Sequence, residues 1–533
     1  MSAQALTLPV AQAVWRPKVN PWVIGITVSM AAFVEVLDTS VANVALPYIG
    51  GGLGASYDDS TWVLTSYLAA NAIVLPMSGW LAEVIGRKRY FMYSLLIFTL
   101  SSLACGLSPT LPVLLLFRAI QGVGGGGLQP MAQAILNDAF PPEKRGVAFA
   151  LYGISAVLAP TVGPMLGGWI TDNYSWRWIF FITLPVVSLA LYLTYTLVED
   201  PPFLHRLKRG GIRVDYIGMS MLALGIGSLQ VLLDKGQEDD WFGSRFITTL
   251  AITAAICIVT LIIWEWRRKD PLVDVRMFKS FNFAAANLMM FMMGFMLFST
   301  LVLIPEFLQT LNGYTAELAG LVLSGGGVVL LVMMPITGRL TSKIQARYLI
   351  AMGWLCLAIG LIYSAHQIDL SISFGFATWL RITHVIGIGF LFVPITAAGY
   401  IGIPEEKGTS ASGIINFMRN IGGSIGTSLV TTLIIRRSQY HQQILVGHVT
   451  PDTPRFRSSL HSLSSQIAHS GLRRTDAHDQ AVARFYQLVN QQSHVLSYMD
   501  TFWILGALCS VMFVLAFFLK KNDPGAGGQV AAG

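Results

Sequence analysis

Apolar runs of about 20 residues recur from one end of this chain to the other, near 22–46, 60–80, 90–108, 111–138, 147–170, 178–198, 214–234, 245–266, 281–305, 317–338, 348–366, 375–399, 409–435 and 498–520. At roughly 1.5 Å per residue, each can cross a hydrocarbon layer about 30 Å thick as a helix. Of the 533 residues, 54% are hydrophobic and 12% charged, far too much apolar surface to hide in one soluble core. The expected fold is an all-α polytopic membrane protein with fourteen transmembrane helices. The polar leader before Pro21 lacks a short apolar core with a small-residue cleavage pattern, so the first span is expected to stay in the mature protein. Cys105, Cys257, Cys356 and Cys509 fall inside apolar spans without metal-ligand spacing, which points to buried packing and to neither a disulfide framework nor a zinc site.

Basic residues set the orientation. Arg87, Lys88, Arg89, Lys144, Arg145, Arg206, Lys208, Arg209, Arg267, Arg268, Lys269, Arg339 and Arg347 gather on one side, whereas the short loops of the other side hold Arg177, Lys235 and Arg245. That bias predicts that both termini are cytoplasmic. The net charge of +7 is mostly this bias and gives no argument for nucleic acid. A long outer loop, 436–497, carries further basic residues and six His, and is expected to be a soluble helical hairpin.

The first span contains Glu35 and Asp38, one helical turn apart. A lone carboxylate at bilayer depth costs about 2.5–3.5 kcal/mol on insertion scales, so both must be neutralised, paired or hydrated. They are candidates for a proton-binding site; the alternative is a hydrogen-bonded acid that only holds the helix in place. In the fourth span, the steps from Arg118 to Gln121, Gly125 and Gln129 put these residues on one helix face. A fixed cation there faces the interior, and close to a first-span acid it would favour the ionised carboxylate.

The chain also repeats itself. Pro76-Met77-Ser78-Gly79-Trp80-Leu81 returns as Pro335-Ile336-Thr337-Gly338-Arg339-Leu340, Arg118 as Arg381, Pro130 as Pro394, and Pro142-Glu143-Lys144-Arg145-Gly146 as Pro404-Glu405-Glu406-Lys407-Gly408, each about 260 positions on. Ordered matches at a nearly constant offset indicate duplication. The offset spans an even number of helices, so the two copies enter the membrane in the same direction. The organisation that follows is a leader (1–20), a six-helix lobe (21–200), an inserted helix pair (201–270), a second six-helix lobe (271–520) containing the loop 436–497, and a Gly-rich tail (521–533).

With this architecture the chain resembles the major facilitator superfamily over almost its whole length, and within it the fourteen-helix drug:proton antiporter group. Gly227-Ser228-Leu229-Gln230, the run from Leu233 through Phe242 and the tail from Pro524 are similar to the inner-membrane B subunits of Emr-type tripartite multidrug pumps. The resemblance implies roles for several motifs. Gly79, Glu83, Gly86, Arg87 and Lys88 correspond to the gate motif between helices 2 and 3, with Glu83 where the family usually has Asp. Charge pairs between Glu83 and the basic cluster would form in one arrangement of the lobes. Arg118 corresponds to a proton-relay arginine and Asp38 to the helix 1 acid, with Glu35 as its partner. Gly153, Pro160, Gly163, Pro164 and Gly167 form a small-residue, proline-bent stripe that corresponds to the antiporter motif. Tyr67, Asn71, Gln121, Gln129, Arg381, His384 and Asn416 are candidates for the substrate cavity, as is the Met-rich run 289–296, unless that run faces lipid; for His384 the alternative is a hydrogen-bonded structural histidine. Arg419 is expected to pair with an acid or with carbonyls at the lobe interface.

The implied function is proton-coupled export of hydrophobic or cationic compounds across a bacterial inner membrane by alternating access. The implied partners are protons, drug-like substrates, a periplasmic membrane-fusion adaptor and an outer-membrane channel, with no cofactor and no metal. A proton symporter, or an exporter of one metabolite, is the nearest alternative. The sequence holds no Walker-type phosphate loop, His/Cys metal set or nucleophile motif that would suggest an enzyme.

Overall fold

Polar caps mark where the helices meet the membrane surface. Asn20 accepts from Trp22 N at the start of the first helix, and Ser56, Asp215, Thr315 and Ser373 cap later ones in the same way. The computed structural model describes residues 17–200, 215–268, 270–450, 453–469 and 473–521. The first sixteen residues, the segment with Arg206, Lys208 and Arg209, Lys269 and the tail from Asn522 lie outside the described residues.

The helices are α1 (Pro21–Leu53), α2 (Tyr57–Ile85), α3 (Arg87–Leu107), α4 (Leu111–Ala139), α5 (Arg145–Asn173), α6 (Trp178–Leu197, broken at Ile182), α7 (Tyr216–Lys235) and α8 (Arg245–Arg267). They continue with α9 (Phe281–Thr310), α10 (Ala316–Thr341), α11 (Ala346–Gln367), α12 (Phe374–Gly399), α13 (Gly408–His448), α14 (Pro454–Ala468) and α15 (Arg474–Ala516). Thirteen are long and apolar enough to cross a membrane. The fourteenth expected span is α13, whose 41 residues have the length but whose Asn416, Arg419 and Asn420 lower its hydropathy. These polar residues are tolerated because α13 packs between α9, α2 and α15.

Helices α1–α6 form one lobe, and α9–α13 with α15 form the other. The inserted pair α7 and α8 packs together and lies against α2, where Leu222, Ile226 and Leu261 meet Ala72 and Met77. α7 touches both lobes: Lys235 Nζ donates to Asp58 O at 3.0 Å, and Gln230 bonds Ser424 of α13 at 3.0 Å. The expected loop 436–497 is mostly helix. α13 runs on to His448, α15 begins at Arg474, and α14 folds back on α15 with the Phe456 and Phe485 rings 5.2 Å apart. Cys105 and Cys509 are buried as expected, but Cys257 and Cys356 are only half-buried, on the periphery of the bundle.

The lobes meet tightly at the end that carries Arg87–Arg89 and Lys144–Arg145. A Cβ on Gly79 would fall 2.6 Å from Ser410 Cα of α13, and one on Gly338 would fall 2.8 Å from Gly146 O of α5. The repeated Pro-x-x-Gly segment therefore does the same thing twice: each lobe offers a bare backbone to the first turn of the opposite lobe's fifth helix.

Candidate functional site

Both acids of α1 lie near the middle of that helix and are buried, Glu35 at 3% and Asp38 at 2% exposure. They face different company. Arg118 of α4 donates from Nη1 to Asp38 Oδ2 at 2.5 Å, and Gln121 Nε2 donates to Oδ1 at 3.0 Å. The guanidinium also bonds Val63 O at 3.1 Å and Gln121 Oε1 at 2.8 Å, and it stacks 4.5 Å from the Tyr67 ring centroid. α4 comes this close to α2 because Gly122 lies against the Tyr67 carbonyl. The result is a closed, charge-assisted pair inside the first lobe.

Glu35 makes no ion pair among the described residues. Its Oε1 accepts from Tyr67 OH at 3.1 Å and Asn71 Nδ2 at 2.9 Å, and its Oε2 accepts from Gln129 Nε2. Gln129 in turn accepts on Oε1 from Arg419 Nη2 of α13, so the shell of Glu35 ends on the other lobe. The seam beside it is polar and fully used. Tyr152 OH donates to Asn416 Oδ1 at 2.9 Å, Asn416 Nδ2 donates to Gln133 Oε1 at 2.8 Å, and Ser412 Oγ donates to Pro130 O at 2.8 Å.

Several expected placements change. Tyr67, Asn71, Gln121 and Gln129 are buried here and hydrogen-bond the two acids. Asn416 is a seam residue. Arg381 bonds Thr300 Oγ1 at 2.9 Å, His384 Nε2 lies 2.8 Å from Ser364 Oγ, and both are fully buried in the second lobe. Met289, Met290, Met293 and Met296 face neither lipid nor open space, because the α9 backbone packs on Gly294 and Gly422 against α13. Arg419 takes a side-chain carbonyl, as its position suggested.

The gate motif also departs from expectation. Gly86, at φ 94°, makes the sharp turn between α2 and α3, a conformation that costs a residue with a Cβ far more. Arg87 pairs with Asp138 of α4, within its own lobe, and lies near the first turn of α13 across the seam. Lys88 donates through its backbone N–H to Asp200 Oδ1 at 2.8 Å and through Nζ to Tyr195 O at 2.7 Å. Glu83 makes no ion pair among the described residues. In the α5 stripe, Gly163 and Gly167 pack on Ser40 and Val41 of α1, whereas Gly153 faces Phe392 and Met334 of the other lobe. Pro164 cannot donate to the Pro160 carbonyl, and Ser40 Oγ does so instead, at 3.3 Å. Sequence reasoning missed Asp138, Thr300, Ser412 and Gln133. Gln133 was within reach, because it lies one turn beyond Gln129 on the face already picked out in α4.

The family model of the Major Facilitator Superfamily matches residues 28–427. The chain belongs to the major facilitator superfamily. It is 37% identical over 504 residues to the multidrug export protein EmrB of Escherichia coli K12, covering 94% of this chain and 96% of that one. The fatty acid resistance protein FarB of Neisseria gonorrhoeae is 34% identical, with the same two coverages. Among solved structures, the proton:xylose symporter XylE superposes with a TM-score of 0.60 at 14% identity, covering 96% of this chain and 97% of that one, which shows the superfamily fold. At these identities the Emr-type members are this protein's relatives within the superfamily, and it is a transporter.

Proposed function

We propose that this protein is a proton-coupled multidrug efflux antiporter that works by alternating access, with Glu35 as its exchanging proton site. The carrying observation is the contrast within α1: Asp38 is locked to Arg118, whereas Glu35 is held by three neutral donors and linked to the opposite lobe. A proton can bind or leave Glu35 without breaking an ion pair. The Asp38–Arg118 pair then serves as a fixed electrostatic frame, which shifts the exchanging role from Asp38 to its neighbour.

Export of amphipathic compounds is supported by the relatives, whose names include multidrug export and fatty acid resistance. The membrane potential supplies about 2.3 kcal/mol per charge per 100 mV. The basic end is the cytoplasmic one by the positive-inside bias, so a seam closed there belongs to the outward-facing arrangement. We place the protein in a bacterial inner membrane with both termini cytoplasmic. The outer ends of α13 and α15, with α14, project on the side where a periplasmic adaptor of a tripartite pump would meet it.

Drug-driven proton release from the purified protein tests this reading. The wild type is expected to release protons on binding a hydrophobic cationic dye. Glu35→Gln should bind dye without release, and Asp38→Asn should bind and release less of each. Undiminished release from Glu35→Gln would sink the assignment. Dye driven down the proton gradient rather than against it, in inverted vesicles, would instead make the protein a symporter.

A further inference from the structure

Gln129 stands between the charged groups that the two lobes bring to the seam. Arginine carries donors and no acceptor, so the amide must turn its oxygen to Arg419, which leaves its NH2 for Glu35. The shell of Glu35 is therefore built for a carboxylate: Oε1 accepts from Tyr67 and Asn71, and among the described residues Oε2 accepts from Gln129 alone. A proton arriving from water costs one hydrogen bond at Oε2 and two at Oε1, so it belongs on Oε2. There its O–H points at the NH2 of Gln129, donor against donor. The mismatch is relieved if the amide turns over and offers its oxygen to Glu35, but the same turn presents NH2 to the guanidinium. Arg419 is then left with Asn420 Oδ1, at 3.3 Å, and the Phe392 ring, whose centroid is 5.8 Å away, within its own lobe, and with the Tyr152 hydroxyl across the seam.

We propose that Gln129 is an amide switch that turns protonation of Glu35 into loss of the Arg419–Gln129 hydrogen bond between lobes. The inference rests on the reading of Glu35 as the proton site and adds the residue that transmits its charge state. The titratable and charged groups around Glu35 are Asp38 on its own helix, Tyr67 on α2, Arg118 on α4, Tyr152 on α5 and Arg419 on α13; α6 contains no charged residue. Asp38 and Arg118 are closed on each other, and Tyr152 donates to Asn416. Glu35 is thus the carboxylate whose protonation reaches the seam, and it does so through one side chain. Release at Arg419 loosens a seam otherwise held by Ser412, Asn416 and the bare backbones at Gly79 and Gly338.

The experiment uses the full chain in lipid nanodiscs with spin labels on Arg89→Cys and Lys343→Cys, two exposed positions at the basic end of opposite lobes. Between about pH 8.5 and about pH 5.5 the wild type is expected to shift its closed-to-open ratio at least about tenfold. Gln129→Met, similar in size but without hydrogen bonds, should change less than about twofold over the same range. Arg419→Gln, which can accept as well as donate, should also lose the pH response and keeps the test alive if Gln129→Met does not fold. A wild-type pH response in either folded variant overturns the switch. If Glu35→Gln also keeps both the pH response and proton release, the proton-site reading itself fails, a separable outcome.

Discussion

The two lobes carry the same buried arginine and give it different company. Arg118 meets the carboxylate of Asp38, whereas Arg381, about 260 positions on, reaches the hydroxyl of Thr300 at the corresponding place in α9. Arg381 makes no ion pair among the described residues, and its Nε and Nη2 have no hydrogen-bond partner. The cation and the helix packing around it recur in both lobes, but among the described residues it has a carboxylate partner in the first lobe alone. On the proposed reading, proton exchange belongs to that lobe, and the second contributes the latch, Arg419, from α13. A symmetric fold thus works asymmetrically through a change of one functional group in a conserved geometry.

The largest expected effect comes from removing each cation. Arg118→Met leaves Asp38 buried without its counter-charge and should cost about 3–5 kcal/mol, whereas Arg381→Met removes a charge that has no counter-charge among the described residues and should be neutral or stabilising. Tryptophan-monitored unfolding in detergent measures both, and equal losses would break the comparison. A converse test sharpens it. Thr300→Asp supplies the missing carboxylate and should stabilise by about 1.5–3 kcal/mol, the worth of a hydrogen bond to a charged group; a lower unfolding midpoint would mean that Arg381 is already compensated. The seam is tested by its duplicated glycines. Gly79→Val and Gly338→Val should each cost about 1–3 kcal/mol by overpacking and lengthen the distance between labels at positions 89 and 343, and an effect from one alone would deny them equivalent roles.

The fold was legible in the sequence because its signals are long and repeated. Twenty-residue apolar runs, the positive-side bias and a constant offset between landmarks each average over many residues. α13 is the weakest of these signals: Asn416, Arg419 and Asn420 pull the hydropathy of the run 409–435 down, and the repeat adds independent support for it. The Arg118–Asp38 pair was readable too, since a buried cation in an apolar helix must find a partner. What could not be read was which polar side chain meets which. Tyr67, Asn71 and Gln129 looked like a cavity wall, but polarity alone does not separate a residue facing open space from one ligating an acid. Thr300 gave no warning because a single hydroxyl in an apolar run is unremarkable until Arg381 is placed beside it. The Arg87–Asp138 pair was missed because α3 and α4 meet there only through the packing of the whole lobe.

The smallest effect concerns the internal prolines of α5, which its counterpart α13 lacks. Pro164 has no N–H for the Pro160 carbonyl, and Ser40 of α1 fills the gap. Ser40→Ala should therefore cost about 1 kcal/mol, the net worth of one hydrogen bond, with part of the loss from the stranded carbonyl. The cause is isolated by a double-mutant cycle. In a Pro164→Ala background the residue at 164 supplies the missing N–H, so Ser40→Ala should then cost close to nothing, giving a coupling of similar size between the two positions. Additive losses would mean that Ser40 matters only through its contact with Gly163, where a Cβ would collide with the Ser40 side chain. Coupling instead ties the prolines of α5 directly to α1, the helix that carries both acids, and so gives the first lobe a mechanical link that the second does not have.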